Sequence, residues 1–370
     1  MSKQLTTILA TTLALIEQFQ DTLSTSTHTE QPSPKDAKAL PLLSASSATL
    51  KAQVTKLSLL SITSPFTHSA VSGVLRACND TVLPSLVTAA LLVTPAEYTK
   101  AFHSEVLLLV RTTLNEFNTL VQQVKSISEK KDLEKKDDPK KESELARPDK
   151  DAVTLATGRV WDACDTVLEV ASKGVVGFVM HRVEQWRDLV RDAVQEIEDW
   201  DPEEDDDFFD DLMGEDKDDG EEDDDDSDDE EETAALKEQK KNTLRFLKPI
   251  VQVYPSIATN RLKNAGDAPL SSAAGVTRLE ALMLNLQSIP EQVDEAAGAL
   301  YEANVAKSAK FLKKTQKNAA QAVESMAAPW DAADAAGCDK QVTDKFSIWS
   351  SAWFKVMDEV SKPIDAASTA

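Results

Sequence analysis

The sequence predicts an all-α fold, with two packed helical bundles and a disordered acidic insertion between them. Apolar residues recur at helical spacing along most of the 370 residues, and strand-like alternation of useful length is absent. Only 10 glycines occur, too few for an all-β protein, whose turns need glycine at positive φ. Residues 198–232 carry acids at such density that this segment cannot bury enough apolar surface to fold.

The net charge of −24 arises in that one segment. The chain has 64 acidic and 40 basic residues, and residues 198–232 hold 25 of the acids and one of the lysines. The remainder therefore has 64 − 25 = 39 acids and 40 − 1 = 39 bases. Direct binding to nucleic acid needs a basic surface, so we expect none. No apolar run reaches the length of a membrane span, so we expect no membrane partner either.

The first bundle is predicted over residues 1–128. Its first helix carries apolar residues on a single face and is interrupted by threonines, which favours an amphipathic helix over a signal peptide. Helices follow over 40–62 and 66–93, the second bent near Pro84. Thr94, Pro95 and Glu97 have the spacing of a capping box, which predicts a further helix from Thr94 to about Ser128.

Residues 129–150 mix lysines with acids and have no apolar stripe, which predicts a solvated, charged linker. The helical period returns over 151–199, and these long helices are expected to complete the amino-terminal bundle. Gly174 and Gly177 are expected to kink or break them.

The second bundle is predicted over 233–370, with the disordered acidic segment at 200–232 before it. Leu279, Leu286, Val293 and Leu300 are seven residues apart. Pro290 is expected to divide this stretch into two helices, so a seam inside the bundle is favoured over a leucine zipper. No basic region precedes it, so it lacks the segment with which basic helix–loop–helix proteins bind DNA.

Sequence signatures of catalysis are missing. No phosphate-binding glycine loop, nucleophile elbow or HExxH motif occurs, and the four histidines are isolated. Cys78, Cys164 and Cys338 lie far apart and are most simply buried small hydrophobes. We therefore expect a non-enzymatic protein without a cofactor or metal.

The acidic segment has two interpretations, a solubilising spacer or a binding element for a protein partner. Its apolar residues and neighbouring acids are unnecessary in a spacer, and together they could steer and anchor a basic partner. These candidate partner-binding residues are Trp200, Phe208, Phe209, Asp210, Asp211, Leu212 and Met213. Chaperones for basic clients such as histones or ribosomal proteins work in this manner. Ser227, surrounded by acids, is a candidate phosphorylation site for an acid-directed kinase such as casein kinase II.

The layout resembles the cyclin-D1-binding protein 1 family, also called Grap- and cyclin-D-interacting protein. The resemblance rests on residues 55–60 (TKLSLL), residues 160–165 (VWDACD) and the acidic insertion with DFFDD at 207–211. It implies a vinculin- or talin-like bundle of up-and-down helices and a protein of nucleus and cytoplasm, here a fungal-like member. It further implies a cyclin or transcription regulator as partner and negative regulation of cell-cycle progression and transcription. The alternative function is an acidic chaperone or escort for a basic client.

Overall fold

The computed structural model describes residues 3–25, 38–137, 144–202, 226–330 and 344–367. Within these ranges the chain is helical almost throughout and contains no β-strand, so the all-α prediction is confirmed. The chain divides into an amino-terminal unit, Met1–Phe178, and a carboxy-terminal unit, Val179–Ala370. None of the described helices is long and apolar enough to cross a membrane.

The amino-terminal unit is a bundle of packed helices. The helices are α1 (Lys3–Thr25), α2 (Ala39–Ile62), α3 (His68–Ala77), α4 (Leu83–Leu92), α5 (Lys100–Asp137) and the first part of α6 (Arg147–Asp199). Helices α1 and α2 each pack against α3, α4 and α5. Leu43, Leu50 and Leu57 of α2, spaced by heptads, are all buried in this bundle, as expected of an intrachain seam.

The bend near Pro84 takes the form of a π-helical turn. Residues Cys78–Val82 form this turn between α3 and α4, and the Leu83 N–H donates to the Cys78 carbonyl. Pro84 has no N–H to donate to the carbonyl four residues earlier, so the regular α-helical ladder cannot continue through this point. A wider turn accommodates the missing bond.

Helix α5 differs from its prediction at both ends. It begins at Lys100, because Thr99 and not Thr94 caps it; the Phe102 N–H donates to Thr99 Oγ1 at 3.1 Å. It continues to Asp137, inside the segment predicted as a linker. There Lys131 and Asp132 are buried, and His68 Nε2 lies 3.0 Å from Asp132 Oδ1. Contacts between polar side chains, and not an apolar stripe, stabilise this part of the helix.

Helix α6 contains the predicted glycine break. Gly174 has φ 63° and ψ −169°, a backbone conformation that glycine adopts at little cost. The amino-terminal unit ends soon afterwards, at Phe178. Residues 151–199 were all predicted to complete the amino-terminal bundle, whereas the compact unit retains the part of α6 before Val179.

In its described residues the carboxy-terminal unit contains the end of α6 and six further α-helices. These are α7 (Asp226–Val251), α8 (Val253–Ile257), α9 (Ala273–Tyr301), α10 (Val305–Ser325), α11 (Lys345–Val360) and α12 (Lys362–Ala367). A π-helical turn, Ala258–Leu262, follows α8. Helices α9 and α10 form the main helical hairpin, and α7 packs against α10, α11 and α12. Helix α7 begins within 200–232, the segment predicted to be disordered.

The prediction of a helix break at Pro290 was wrong. Helix α9 runs without interruption from Ala273 to Tyr301, and the whole ladder from Leu279 to Leu300 is buried. Pro290 cannot donate a hydrogen bond to the carbonyl of Leu286, four residues earlier. The hydroxyl of the fully buried Tyr254 donates to that carbonyl at 3.1 Å. A side chain from another helix thus replaces the missing backbone donor.

Candidate interaction surfaces

The two motifs that carry the family resemblance lie on adjacent helices of the amino-terminal unit. Residues 55–60 belong to α2 and residues 160–165 to α6. Ser47 Oγ of α2 donates to the carbonyl of Cys164 at 3.1 Å. Lys51 Nζ lies 2.6 Å from Asp165 Oδ1. These contacts fix the second motif against α2.

Each motif carries one exposed large apolar side chain, and we call the outward side of residues 55–60 and 160–165 the α2–α6 face. Trp161 is 36% exposed and lies one helical turn before Asp165, on the side of α6 next to α2. Leu59 is 55% exposed and lies two turns beyond Lys51 on α2. Exposed large apolar side chains in a rigid bundle are suited to contact with another protein.

A groove of about 590 Å³ lies within the carboxy-terminal unit, between the end of α6 and α9. Its apolar lining includes Trp186 and Leu189 of α6 with Pro290 and Ala299 of α9. Its acidic lining is on α9 and at the C-cap of that helix. These acids are Glu291, Asp294, Glu295 and Glu302.

The groove is negatively charged. Burial, with a smaller contribution from the negative charge of Glu196, raises the pKa of Asp294 above its ordinary value. The same two causes raise the pKa of Tyr301 to about 12. Of the described side chains that line the groove, only Lys307 is cationic, and its Nζ lies 3.3 Å from Glu302 Oε2. An additional positive charge would be favoured at this surface.

Helix α7 presents a basic row of opposite character. The row consists of Lys237, Lys240, Lys241, Arg245 and Lys248, which surround a shallow hollow of about 320 Å³ beside Leu244. Part of it binds the end of α6. Lys240 Nζ donates to the carbonyls of Glu198, at 3.0 Å, and Trp200.

Trp200, predicted as a partner-binding residue, has an intrachain role. It is half-buried, and its ring lies 4.9 Å from that of Tyr301. The other predicted partner-binding residues lie outside the described residues: Phe208, Phe209, Asp210, Asp211, Leu212 and Met213. Ser227 lies in the first turn of α7, its side chain is outside the described part, and its phosphorylation stays a prediction.

The described residues contain no group of three or more His, Cys, Asp or Glu side chains arranged to hold a metal ion. Cys78 and Cys164 are buried free thiols, as predicted, and burial raises their pKa values to about 12 and about 11. Cys338 lies outside the described residues.

The groove was not predicted from the sequence, although part of its pattern is visible in α9. Glu291, Asp294, Gly298 and Glu302 follow one another at helical spacing, beside the buried ladder. The pattern reveals a polar stripe on one helix but not which other helix lies beside it.

Comparison with known protein families gives one match. Residues 42–203 match the family described as "Grap2 and cyclin-D-interacting, N-terminal". The matched range begins in α2 and contains both motifs of the α2–α6 face. No curated protein sequence matches the chain significantly.

Proposed function

We propose, on the premise that residues 42–203 match the Grap2 and cyclin-D-interacting family, that the chain is a non-enzymatic regulator that binds a cyclin. The observation that carries the proposal is the family match itself. Binding would hold the cyclin away from its activating partners, which is negative regulation of cell-cycle progression and transcription. Such a role places the protein in the nucleus and the cytoplasm.

The α2–α6 face is the proposed contact surface. It lies inside the matched range, and its helices are held by the hydrogen bond from Ser47 and the ion pair of Lys51 with Asp165. A rigid surface loses little conformational freedom on binding. Exposed tryptophans are frequent anchors of protein interfaces. Trp161 with Leu59 therefore forms the centre of the proposed contact.

Titration of the purified full chain with a D-type cyclin tests this proposal. Replacing both Leu59 and Trp161 by Ala should weaken binding at least about tenfold, as is common for interface anchors. Leu155→Ala is the matched control, because Leu155 is 61% exposed on α6 but lies on another side of that helix. Binding that the double variant retains at full strength rejects the α2–α6 face. No binding by the parent chain rejects the cyclin proposal.

The second candidate function is an escort for a basic client, favoured by the 25 acids of residues 198–232. Removal of residues 203–225 is a suitable test, since it leaves Trp200 packed on Tyr301 and Lys240 bonded to the end of α6. The escort should keep a histone soluble at low salt, and the deletion variant should not. Equal solubility with both proteins would refute this function.

A further inference from the structure

We propose that the groove between α6 and α9 is a docking site for a basic amphipathic helix of a protein partner. The site goes beyond the proposed cyclin contact, since it lies in the carboxy-terminal unit and α9 is outside the family match. Four features of the groove favour this kind of occupant: its apolar lining, its length, the open space along α9 and the charge of its rim.

The apolar lining favours an amphipathic occupant. Trp186 and Leu189 are three residues apart on α6 and face the groove together, and Leu189 is 55% exposed. Pro290 and Ala299 line the groove from α9 and are already buried. An apolar helical face laid against Trp186 and Leu189 would remove these two side chains from water, which is the driving force of helix-in-groove recognition.

The length of the groove favours a helix over a small molecule. The lining residues of α9 extend from Gln287 to Glu302, which corresponds to about 22 Å along the helix axis. A helix of about 15 residues has the same length. Two flanking helices with a trough between them match the packing of a third helix.

Gly298 provides space for the close approach of that helix. It lines the groove, and a Cβ atom added to it would meet no other atom within 4 Å. The position is helical, so the open space belongs to the surface and not to a strained turn. A small residue at this point allows an incoming backbone to approach α9 closely.

The charge of the groove selects a basic partner. Glu291, Asp294 and Glu295 lie along one stretch of it, while Lys307 stands near Glu302 at the far end of α9. The raised pKa of Asp294 reflects burial and the negative charge of Glu196. Lysines and arginines flanking the apolar face of a partner helix would relieve the repulsion among these acidic side chains, whereas acidic residues on the partner would increase it.

A designed peptide tests the site with the full chain. The probe is a fluorescent leucine–lysine peptide of about 18 residues with helical periodicity, and its counterpart carries glutamate in place of lysine. Gly298→Leu fills the groove with a side chain that meets no atom of the protein at its Cβ. Gly158→Leu is the matched control, because Gly158 is also helical with open space around it but lies in the amino-terminal unit.

We expect the parent chain and Gly158→Leu to bind the lysine peptide with equal affinity, measured by fluorescence anisotropy. Gly298→Leu should bind it at least about tenfold more weakly, and the glutamate peptide should bind none of the three. The acidic segment is present in every variant, so a loss confined to Gly298→Leu reports the groove. A second variant, Glu291→Lys combined with Glu295→Lys, should give the same loss if Gly298→Leu folds poorly.

Equal peptide affinity of Gly298→Leu, of the Glu291/Glu295 variant and of the parent chain would overturn the proposal. Absence of binding by the parent chain would overturn it as well. Cyclin binding serves as the separating measurement, since it is expected to be unchanged in Gly298→Leu. Failure of the cyclin proposal thus leaves the peptide result unaffected.

Discussion

The bond between Tyr254 and α9 gives a quantitative test of how this helix passes through Pro290. Tyr254→Phe removes the hydroxyl that donates to the Leu286 carbonyl and leaves the buried ring in place. The carbonyl then lacks both its backbone donor and its substitute, at a cost of about 1–2 kcal/mol in the free energy of unfolding. Pro290→Ala restores a backbone N–H at the position that donates to Leu286 in a regular helix.

The two substitutions should therefore be coupled. In the Pro290→Ala background, Tyr254→Phe should cost less than about 0.5 kcal/mol, which gives a coupling of about 1 kcal/mol in a double-mutant cycle. Urea unfolding followed by tryptophan fluorescence measures these values. A Trp161→Phe background confines the signal to the carboxy-terminal unit, because Trp161 is the one tryptophan in Met1–Phe178. Equal costs of Tyr254→Phe in both backgrounds would refute the reasoning.

Two further predictions concern the stability of the fold. The hydrogen bond from the buried Arg261 lowers the pKa of Asp344 to about 2. Asp344→Asn should therefore lower the free energy of unfolding by about 1–2 kcal/mol at neutral pH, after allowance for the partial exposure of the carboxylate. A carboxyl group with a lowered pKa stabilises the fold at pH values above its unfolded pKa of about 3.9. The difference in free energy of unfolding between parent and variant should therefore vanish as the pH falls from about 4 to about 2. A difference in urea midpoint that does not depend on pH would contradict this. Gly275→Ala should destabilise the unit by about 1–3 kcal/mol, since the new Cβ would lie 2.3 Å from the Pro269 carbonyl oxygen. Gly158→Ala, with open space around it, should instead stabilise its helix by about 0.5–1 kcal/mol; the same sign for both glycine variants in thermal unfolding would disprove the steric argument.

Helical periodicity was sufficient to predict the fold class, because the apolar stripes of most helices face a bundle interior. The ladder from Leu43 to Leu57 is an example, since all its members are buried. Local patterns were less reliable at helix ends. The capping box at Thr94 satisfies every local rule, yet α5 is capped by Thr99, and α5 continues past Ser128 with Lys131 and Asp132 buried.

Long-range contacts explain what the sequence could not predict. The continuity of α9 depends on Tyr254, which is distant in sequence from Pro290, so the proline alone gave the wrong answer. The groove likewise needs Trp186 and Gly298 to lie in one surface, and no local spacing relates them. The contact of the Trp200 ring with Tyr301 was likewise not visible in the sequence, and the partner-binding role of Trp200 stays a prediction.

Hydrogen exchange of the full chain, with and without a D-type cyclin, tests the central claim most directly. Bound cyclin should slow amide exchange in residues 55–60 of α2 and 160–165 of α6, the two stretches that form the α2–α6 face. Exchange in α9 should remain unchanged. Protection confined to residues outside 42–203, or none at saturating cyclin, would contradict the claim that the matched domain is the cyclin-binding surface.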